Sequence, residues 1–574
     1  MSEQTVENAW DHAVDLLIVG SGAGAMTAAL VGCDAGADVL LIEKGDQYGG
    51  SSAMSGGGLW IPCNSVAREA GFEDDPEEAW KYLKGCVGDA TPDARLRAYL
   101  ANAPKMLDYL VANTRTRFIP LMEYADYYPN VEGSTPGGRC LDPVNFDARA
   151  LGDEFLKMRE SAPQQQIMGR ISMTIPEARI SLARTPGWML TLMRLFFRYA
   201  FDLPWRFKSK RDRNLAMGNS LVGMLRRSLM DRNIPIWLET PARGLIVEDG
   251  CVVGVEAERN DKRIRIRGKK AVILAAGGFE ANQAMREKYL PQPSKAEWSS
   301  ANPNNTGDII NMGIELGAGI GLMDEAWWGP AVKFPGDDRA RFFVIELSLP
   351  GSVLVNRSGR RYVNEASPYG DKVAAMYAKN TPEGETIPSY LVFDANFRKK
   401  YPVGPLLPGA QQPDWAAPKD VMNLIVKANS IRELAEKLGV DADGLEDTIA
   451  KMNEYAKTGV DPEFGRGDTI FDRYYGDTHV TPNPNLGPID KPPFYGMRTY
   501  PGELGTKGGL LVDERSRVLD ESGEPIPGLY ATGNCTASVM GHTYPGPGAT
   551  LGPATTFGFV AARDALGIDS DTGS

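Results

Sequence analysis

Residues 13–19 (Ala-Val-Asp-Leu-Leu-Ile-Val) form a short apolar run bounded by glycine, the pattern of a strand. Gly20-Ser21-Gly22-Ala23-Gly24-Ala25 comes next, then an alanine-rich stretch over 27–35, then a second β-rich run, 37–42, ending at Glu43 and Lys44. Strand, glycine turn, helix, strand and acidic residue in that order predict a βαβ dinucleotide-binding unit. Gly20 permits the tight turn, Gly22 lets backbone approach a pyrophosphate at the helix N-terminus, and Ala25 takes the third-glycine place where helix meets strand. Glu43, 18 residues past Ala25, is placed to accept hydrogen bonds from an adenosine ribose.

The segment after Glu43 separates FAD from a nicotinamide. Residues 49–58 are a second glycine- and serine-rich run containing Gly50, Ser51, Ser52, Gly56, Gly57 and Gly58. A flavin needs such a lining of amides and small side chains; a simple nicotinamide dehydrogenase does not. Residues 270–278 form another strand running into Ala276, Gly277 and Gly278, and residues 528–534 repeat the pattern up to Gly533 and Asn534. Cofactor-facing segments at both ends of the chain predict an α/β protein with an α+β cap: a discontinuous Rossmann-like FAD-binding domain, 1–297 and 490–574, around an inserted catalytic cap, 298–489.

One stretch, 160–215, departs from its surroundings. From 184 to 213 eight basic residues (Arg184, Arg194, Arg198, Arg206, Lys208, Lys210, Arg211, Arg213) stand against two acidic ones. Helical spacing puts Thr191, Arg194, Arg198 and Asp202 on one face and bulky apolar groups on the rest. Aromatics with flanking cations suit an amphipathic helix lying in the headgroup layer of an anionic membrane, so residues 186–213 are expected to meet a membrane surface. The arginines interrupt any apolar run of about 20, which excludes a span. A buried cap helix or a subunit contact is the plainer alternative.

The 574-residue length calls for several domains or one large domain with an insertion. Glycine, with 63 residues, is well above its usual share of roughly 7% and clusters beside apolar segments. A net charge of −12 argues against nucleic acid. Six scattered cysteines without a CxxC pair signal neither a disulfide scaffold nor a zinc site, and no metal is expected. The polar, acidic start of the chain is not a secretory signal. The expected location is the cytoplasm, at the inner face of the cell membrane.

Residues 525–562 are 38 positions without one Asp, Glu, Lys or Arg, read as a neutral lining for cofactor and substrate. Within them the loop 541–553, with Tyr544, Gly548 and Leu551, is stiffened by proline and glycine and exposes amide N–H groups. A tyrosine hydroxyl and a backbone N–H held together there can both donate to one carbonyl oxygen. At this loop the sequence resembles the 3-ketosteroid Δ1-dehydrogenases, a flavoprotein family related to the fumarate reductase flavoprotein subunits. The matching motifs are the turn 20–25, Ala125-Asp126-Tyr127-Tyr128, Asn364-Glu365-Ala366-Ser367-Pro368-Tyr369, Leu504-Gly505-Thr506-Lys507-Gly508-Gly509 and the loop 544–548. The likeness covers nearly the whole chain outside 160–215. It implies that Tyr544 and Gly548 bind a steroid C3 carbonyl, that Tyr369 is the base at C2, and that Tyr127 assists it. It leaves Tyr127 and Tyr128 to be distinguished.

The chemistry agrees with those roles. Removing a proton beside a ketone develops enolate charge, and each fixed donor aimed at it is worth about 2.7–4 kcal/mol. A tyrosine of ordinary pKa near 10 is a poor base unless its phenolate is stabilised, which a neighbouring phenol does. A fumarate-type site must neutralise two carboxylates, yet no arginine lies between Arg517 and Arg563, and His542 reads as a loop-ordering group. Trp327-Trp328 and Phe342-Phe343 offer flat apolar surface for a sterol skeleton or are plain core. The expectation is a 3-ketosteroid 1,2-dehydrogenation with non-covalent FAD, an external electron acceptor (quinone or protein), and sterones with alkyl side chains as substrates. The rivals are a 3-ketosteroid Δ4-(5α)-dehydrogenase and a flavoprotein that binds sterol or carries electrons without oxidising it.

Overall fold

The computed structural model describes residues 10–182 and 187–568. Five parallel strands of its eight-stranded sheet stand in the order Ile236–Trp237, Val39–Ile42, His12–Val19, Lys262–Leu274 and Pro525–Ala531. The register pairs Val19 with Ile42 and Leu274, and Leu274 with Ala531, so four strands end at one level. Their carboxyl ends form the crevice where an open α/β sheet takes its ligand. The strand Lys262–Leu274 does double duty: its first half pairs antiparallel with Cys251–Arg259, its second half lies parallel to His12–Val19.

The helix Ala23–Asp34 packs on the C-terminal helix Leu551–Ala565 over one face of this sheet. A Cβ at Gly558 would sit 2.3 Å from the Gly24 carbonyl oxygen, and one at Gly24 would sit 2.5 Å from that of Ala554. Ala25 is buried as expected, but the tight approach is made at Gly24, and against a helix from the far end of the chain rather than a strand.

A second sheet carries the cap. Its order is Arg341–Phe342, Ala326–Val332, Phe494–Thr506, Ser389–Phe393, Ser352–Val355, with Val426–Ala428 also on Phe494–Thr506. The expected boundary at 489/490 falls before this central 13-residue strand, whose partners all lie between 326 and 428, so the cap sheet runs on to Thr506.

Residues 160–215 make a hairpin (Gln166–Ile167 with Ile171–Ser172), helices Ile175–Leu182, Trp188–Ala200 and Leu203–Arg206, and a strand, Asn214–Leu215, returning to Phe146–Asp147. The expected basic Arg184 lies outside the described residues. The polar face of Trp188–Ala200 is tied to other parts of the insertion, although Arg194 itself stays 67% exposed. Arg194 donates to Glu177 (2.5 Å), Arg198 to the Ser172 carbonyl (2.8 Å), and Arg213 pairs with Asp202. Arg206 and Arg211 are held by backbone carbonyls. Among the described residues Arg198, Arg206, Arg211 and Arg213 are therefore largely turned in, while Arg194, Lys208 and Lys210 stay exposed. The outward face is apolar: Met189, Leu190, Met193, Phe197, Phe201 and Phe207 are 52–90% exposed, with Lys208 and Lys210 beside them. Among the described residues no helix is long and apolar enough to cross a membrane.

Valine at Gly558 would drive branched carbons into the Gly24 backbone. We expect Gly558→Val to cost roughly 1–3 kcal/mol in urea unfolding; an unchanged midpoint would show that the helix pair gives way without cost.

Candidate active site

Every residue expected to touch the cofactor lines one cavity of about 930 Å³, which continues without a break to Tyr127, Tyr369, Tyr544 and Gly548. At its dinucleotide end, Gly20 has φ +115° and a Cβ there would lie 2.3 Å from the Ala275 carbonyl oxygen, so only glycine can leave the first strand at that point. The helix Ala23–Asp34 begins at Gly22 with no side-chain cap and no acidic residue, an N-terminus suited to a diphosphate. Ser52 accepts from the Ala23 amide (3.0 Å), fixing the second glycine run against the first. Glu43 is held by the Ser21 hydroxyl (2.5 Å) and the Gly45 amide (2.9 Å), and burial raises its carboxyl above the ordinary range. Lys44 lines the cavity, but its ammonium is bound to Asp308 (2.7 Å) and Thr306 (2.5 Å), tying the first strand pair to the start of the helix Asp308–Glu315. The glycine-lined length and the uncapped helix fit FAD.

Sequence reasoning missed Asn302 and Asn305. The Asn302 amide and the Asn305 side chain both donate to Ser51 Oγ (3.3 and 3.1 Å), and both residues line the cavity. The run 302–305, with three asparagines, was a signal left unread.

At the other end three tyrosines from remote parts of the chain meet. The Tyr127 and Tyr369 hydroxyls are hydrogen-bonded to each other. Ring centroids lie 5.4 Å apart for Tyr127 and Tyr369, 5.4 Å for Tyr369 and Tyr544, and 5.2 Å for Tyr127 and Tyr544. Tyr128 turns away and donates to Asp371 (3.1 Å), which separates the two tyrosines of the Asp-Tyr-Tyr motif. Burial is the largest influence on Tyr127 and Tyr369 and pushes both phenols well above their usual pKa; for Tyr369 the Tyr127 hydroxyl opposes it. Tyr544 is also raised by burial, with Thr550, Tyr369 and the Gly548 amide pulling the other way. Tyr544 and Gly548 both line this end of the cavity. Of the aromatic pairs, Trp327 and Phe342 enclose the cluster (4.8 Å from Tyr544, 5.1 Å from Tyr369), while Trp328 and Phe343 join the opposite core. Strand alternation sends one member of each pair to each side. His542 meets Glu325 (3.0 Å) near the loop surface.

The cluster rests on buried polar anchors. Asp126 accepts from Trp60 Nε1 (2.8 Å) and Arg139 (2.8 Å), holding the turn that carries Tyr127. Tyr369 is the first residue of the helix Tyr369–Ala378, and the Lys372 ammonium bonds the carbonyls of Glu365 (2.9 Å) and Ser367 (2.8 Å) just before it. Asn364 reaches Asp472 (2.8 Å), next to Phe471, whose ring packs on Tyr127.

Known proteins share this architecture. The family model described as "FAD binding domain" matches residues 15–551. The chain is 42% identical to a 3-oxosteroid 1-dehydrogenase of Mycobacterium tuberculosis, over 96% of this chain and 97% of that protein. It is 35% identical to a 4-oxocyclohexanecarboxylate 2-dehydrogenase of Sinomonas cyclohexanicum, over 96% and 93%. A crystal structure of 3-ketosteroid Δ1-dehydrogenase from Sterolibacterium denitrificans, in complex with 1,4-androstadiene-3,17-dione, superposes with a TM-score of 0.94 at 46% identity, covering 97% of this chain and all of that one.

Beneath the crevice, Glu280 accepts from Asn305 (2.6 Å) and lies beside Thr506, and desolvation pushes its carboxyl up to about 7. A carboxyl raised above its unfolded value binds more protons in the folded state, so folding stability should fall as pH rises from about 4.5 to 7. Glu280→Gln should flatten that part of the pH–stability curve in urea titrations; an unchanged slope would mean that Glu280 is ionised without cost.

Proposed function

This chain belongs to the FAD binding domain family and, within it, to the 3-oxosteroid 1-dehydrogenases, and we propose that it oxidises the C1–C2 bond of 3-ketosteroids at the tyrosine cluster. The observation that carries the reading is the Tyr127–Tyr369 hydroxyl pair, buried beside Tyr544 and the Gly548 amide in the cavity that holds the cofactor residues. FAD, when bound, supplies the acceptor for the hydride from C1. The Tyr544 hydroxyl and Gly548 N–H hold the C3 oxygen and stabilise its developing charge. Tyr369 takes the C2 proton, and Tyr127 shares it through their hydrogen bond. Trp327 and Phe342 exclude water from this end. Each turnover leaves two electrons on the enzyme, so an external acceptor, a quinone or a partner protein, must remove them.

The cavity favours a steroid over a single ring, because its lining extends past the tyrosines to Met173, Trp188, Leu192 and Phe196 of the insertion. Sterones with alkyl side chains are the proposed substrates, each buried CH₂ adding about 0.8 kcal/mol. The outward apolar face of Trp188–Ala200 supports peripheral attachment to a membrane through 186–213, from which such substrates would be drawn. With most of the arginines turned inward, apolar insertion outweighs electrostatic attraction in this attachment.

Anaerobic addition of androst-4-ene-3,17-dione, then cholest-4-en-3-one, should bleach the oxidised flavin spectrum and yield 1,2-unsaturated products. A 4,5 double bond would instead indicate the Δ4-(5α) reaction, and no bleaching would leave only the fold in common. Tyr369→Phe should slow bleaching by about 10²–10⁴-fold, and Tyr544→Phe by about 10²–10³-fold.

Combined Leu190→Asp, Phe197→Asp and Phe201→Asp should abolish cosedimentation with phosphatidylglycerol vesicles while keeping turnover of dissolved androst-4-ene-3,17-dione. Retained cosedimentation would refute membrane attachment by this face.

A further inference from the structure

In the proposed reaction Tyr369 receives a proton in every turnover, and that proton must reach water before the next. Tyr369 and Tyr127 are 7% and 1% exposed. Among the described residues their hydroxyls meet only other phenols. Three hydroxyl branches lie around the cluster. Tyr544 leads to Thr550 (3.3 Å), but its hydroxyl is engaged by the substrate oxygen while the proton moves. Tyr128 and Asp371 form a separate pair that touches neither hydroxyl of the dyad.

The third branch is continuous. Tyr127 Oη lies 3.4 Å from Tyr124 Oη, and Tyr124 is hydrogen-bonded in turn to the Tyr475 hydroxyl. Tyr124 is kept in place by stacking on Tyr474, with centroids 4.2 Å apart and planes within 5°. Tyr475 stands edge-on to both rings, at 5.9 and 5.0 Å. Tyr124 is buried and Tyr475 only half-buried, and both line the cavity. At this side Arg179 of the insertion lies 4.4 Å over Tyr474 and pairs with the exposed Glu123. Buried phenol thus gives way to surface charge within a few residues.

We propose that Tyr124 and Tyr475 are a hydroxyl relay carrying the C2 proton from the Tyr369–Tyr127 pair to water in the outer cavity. This rests on the function proposed above. Each phenol accepts one proton and releases its own, so one proton passes outward and no electrons move; the hydride departs separately from C1. Tyr124 and Tyr475 act through Tyr127 and are positioning residues, not catalytic ones.

The test uses flavin-loaded enzyme in D₂O with protiated androst-4-ene-3,17-dione and no external acceptor, reading deuterium at C2 of recovered substrate, flavin bleaching and the substrate Kd. Wild-type enzyme should bleach and wash deuterium into C2. Tyr124→Phe and Tyr475→Phe should each lower the wash-in relative to bleaching by roughly tenfold or more at unchanged Kd, because the abstracted proton returns to C2 instead of leaving. Tyr474→Phe, which alters the same aromatic stack outside the hydroxyl chain, should behave as wild type. Wash-in at the wild-type ratio in both relay variants, or an equal fall in Tyr474→Phe, would overturn the relay while the function stands. A wild-type protein that never bleaches would overturn the function first, and the relay with it.

Discussion

The carbonyl oxygen of Pro545 is the point on which the arrangement depends. It accepts from the Tyr127 amide (2.9 Å) and from the Tyr82 hydroxyl (2.5 Å), joining the C-terminal loop to two segments more than 400 residues earlier. The adjacent glycines make the joint possible. A Cβ at Gly546 would meet the Trp60 ring at 2.4 Å, and one at Gly548 would meet the Gly58 oxygen at 2.6 Å. The same loop segment thus sets Tyr544 against Tyr127 and brings the Gly548 amide beside it. Because Gly58 belongs to the cofactor wall and Trp60 to the strand behind it, the steroid end and the FAD end of the cavity are fixed by one contact surface.

Around this joint the protein buries charge to hold position. Arg361 bridges Glu365 (2.8 Å) and Asp461 (2.7 Å), and Arg466 closes on Glu365 (3.2 Å), all four essentially without exposure. Such a cluster gains little over a well-packed apolar core, since desolvation offsets attraction. Its consequence is geometric: Glu365 also receives the Leu354 amide, fixing the segment that leads to Tyr369. Asp126 does the same for Tyr127 through Arg139 and Trp60. Among the described residues Tyr127, Tyr369 and Tyr544 meet no formal charge, which keeps this end of the cavity apolar, and burial raises all three phenols above their ordinary pKa.

The FAD half was legible because its signals are local. A strand that ends in glycine at residue 20, and others that do so near 277 and 533, announce a crevice wherever they sit in space. The tyrosines were legible only through motifs, since no periodicity says that 127, 369 and 544 converge. The pairing of Phe494–Thr506 with strands from 326–428, across the expected 489/490 boundary, was not legible, because long-range pairing leaves no mark on the strand itself. Tyr124 and Tyr475 were passed over for the same reason: their meaning lies in a hydroxyl contact across 351 residues.

The insertion shows a different limit. Helical spacing correctly sorts Trp188–Ala200 into polar and apolar sectors but is silent on which sector faces the protein. Here both do, in part. Trp188, Leu192 and Phe196, spaced four apart, turn to the cavity; Arg194 and Arg198 bind the neighbouring hairpin and helix; Met189, Met193 and Phe197 face out. The cavity-facing and outward apolar sectors adjoin along one side of the helix, so an apolar molecule moving between surface and cavity need not cross the polar sector. An ordinary surface helix hides its apolar stripe; this one makes its apolar surface continuous with the site, while Arg194 and Arg198 tie it to Glu177 and the Ser172 carbonyl. That inversion gives the insertion a physical role in the proposed supply of sterone that neither its charge count nor its periodicity could have specified.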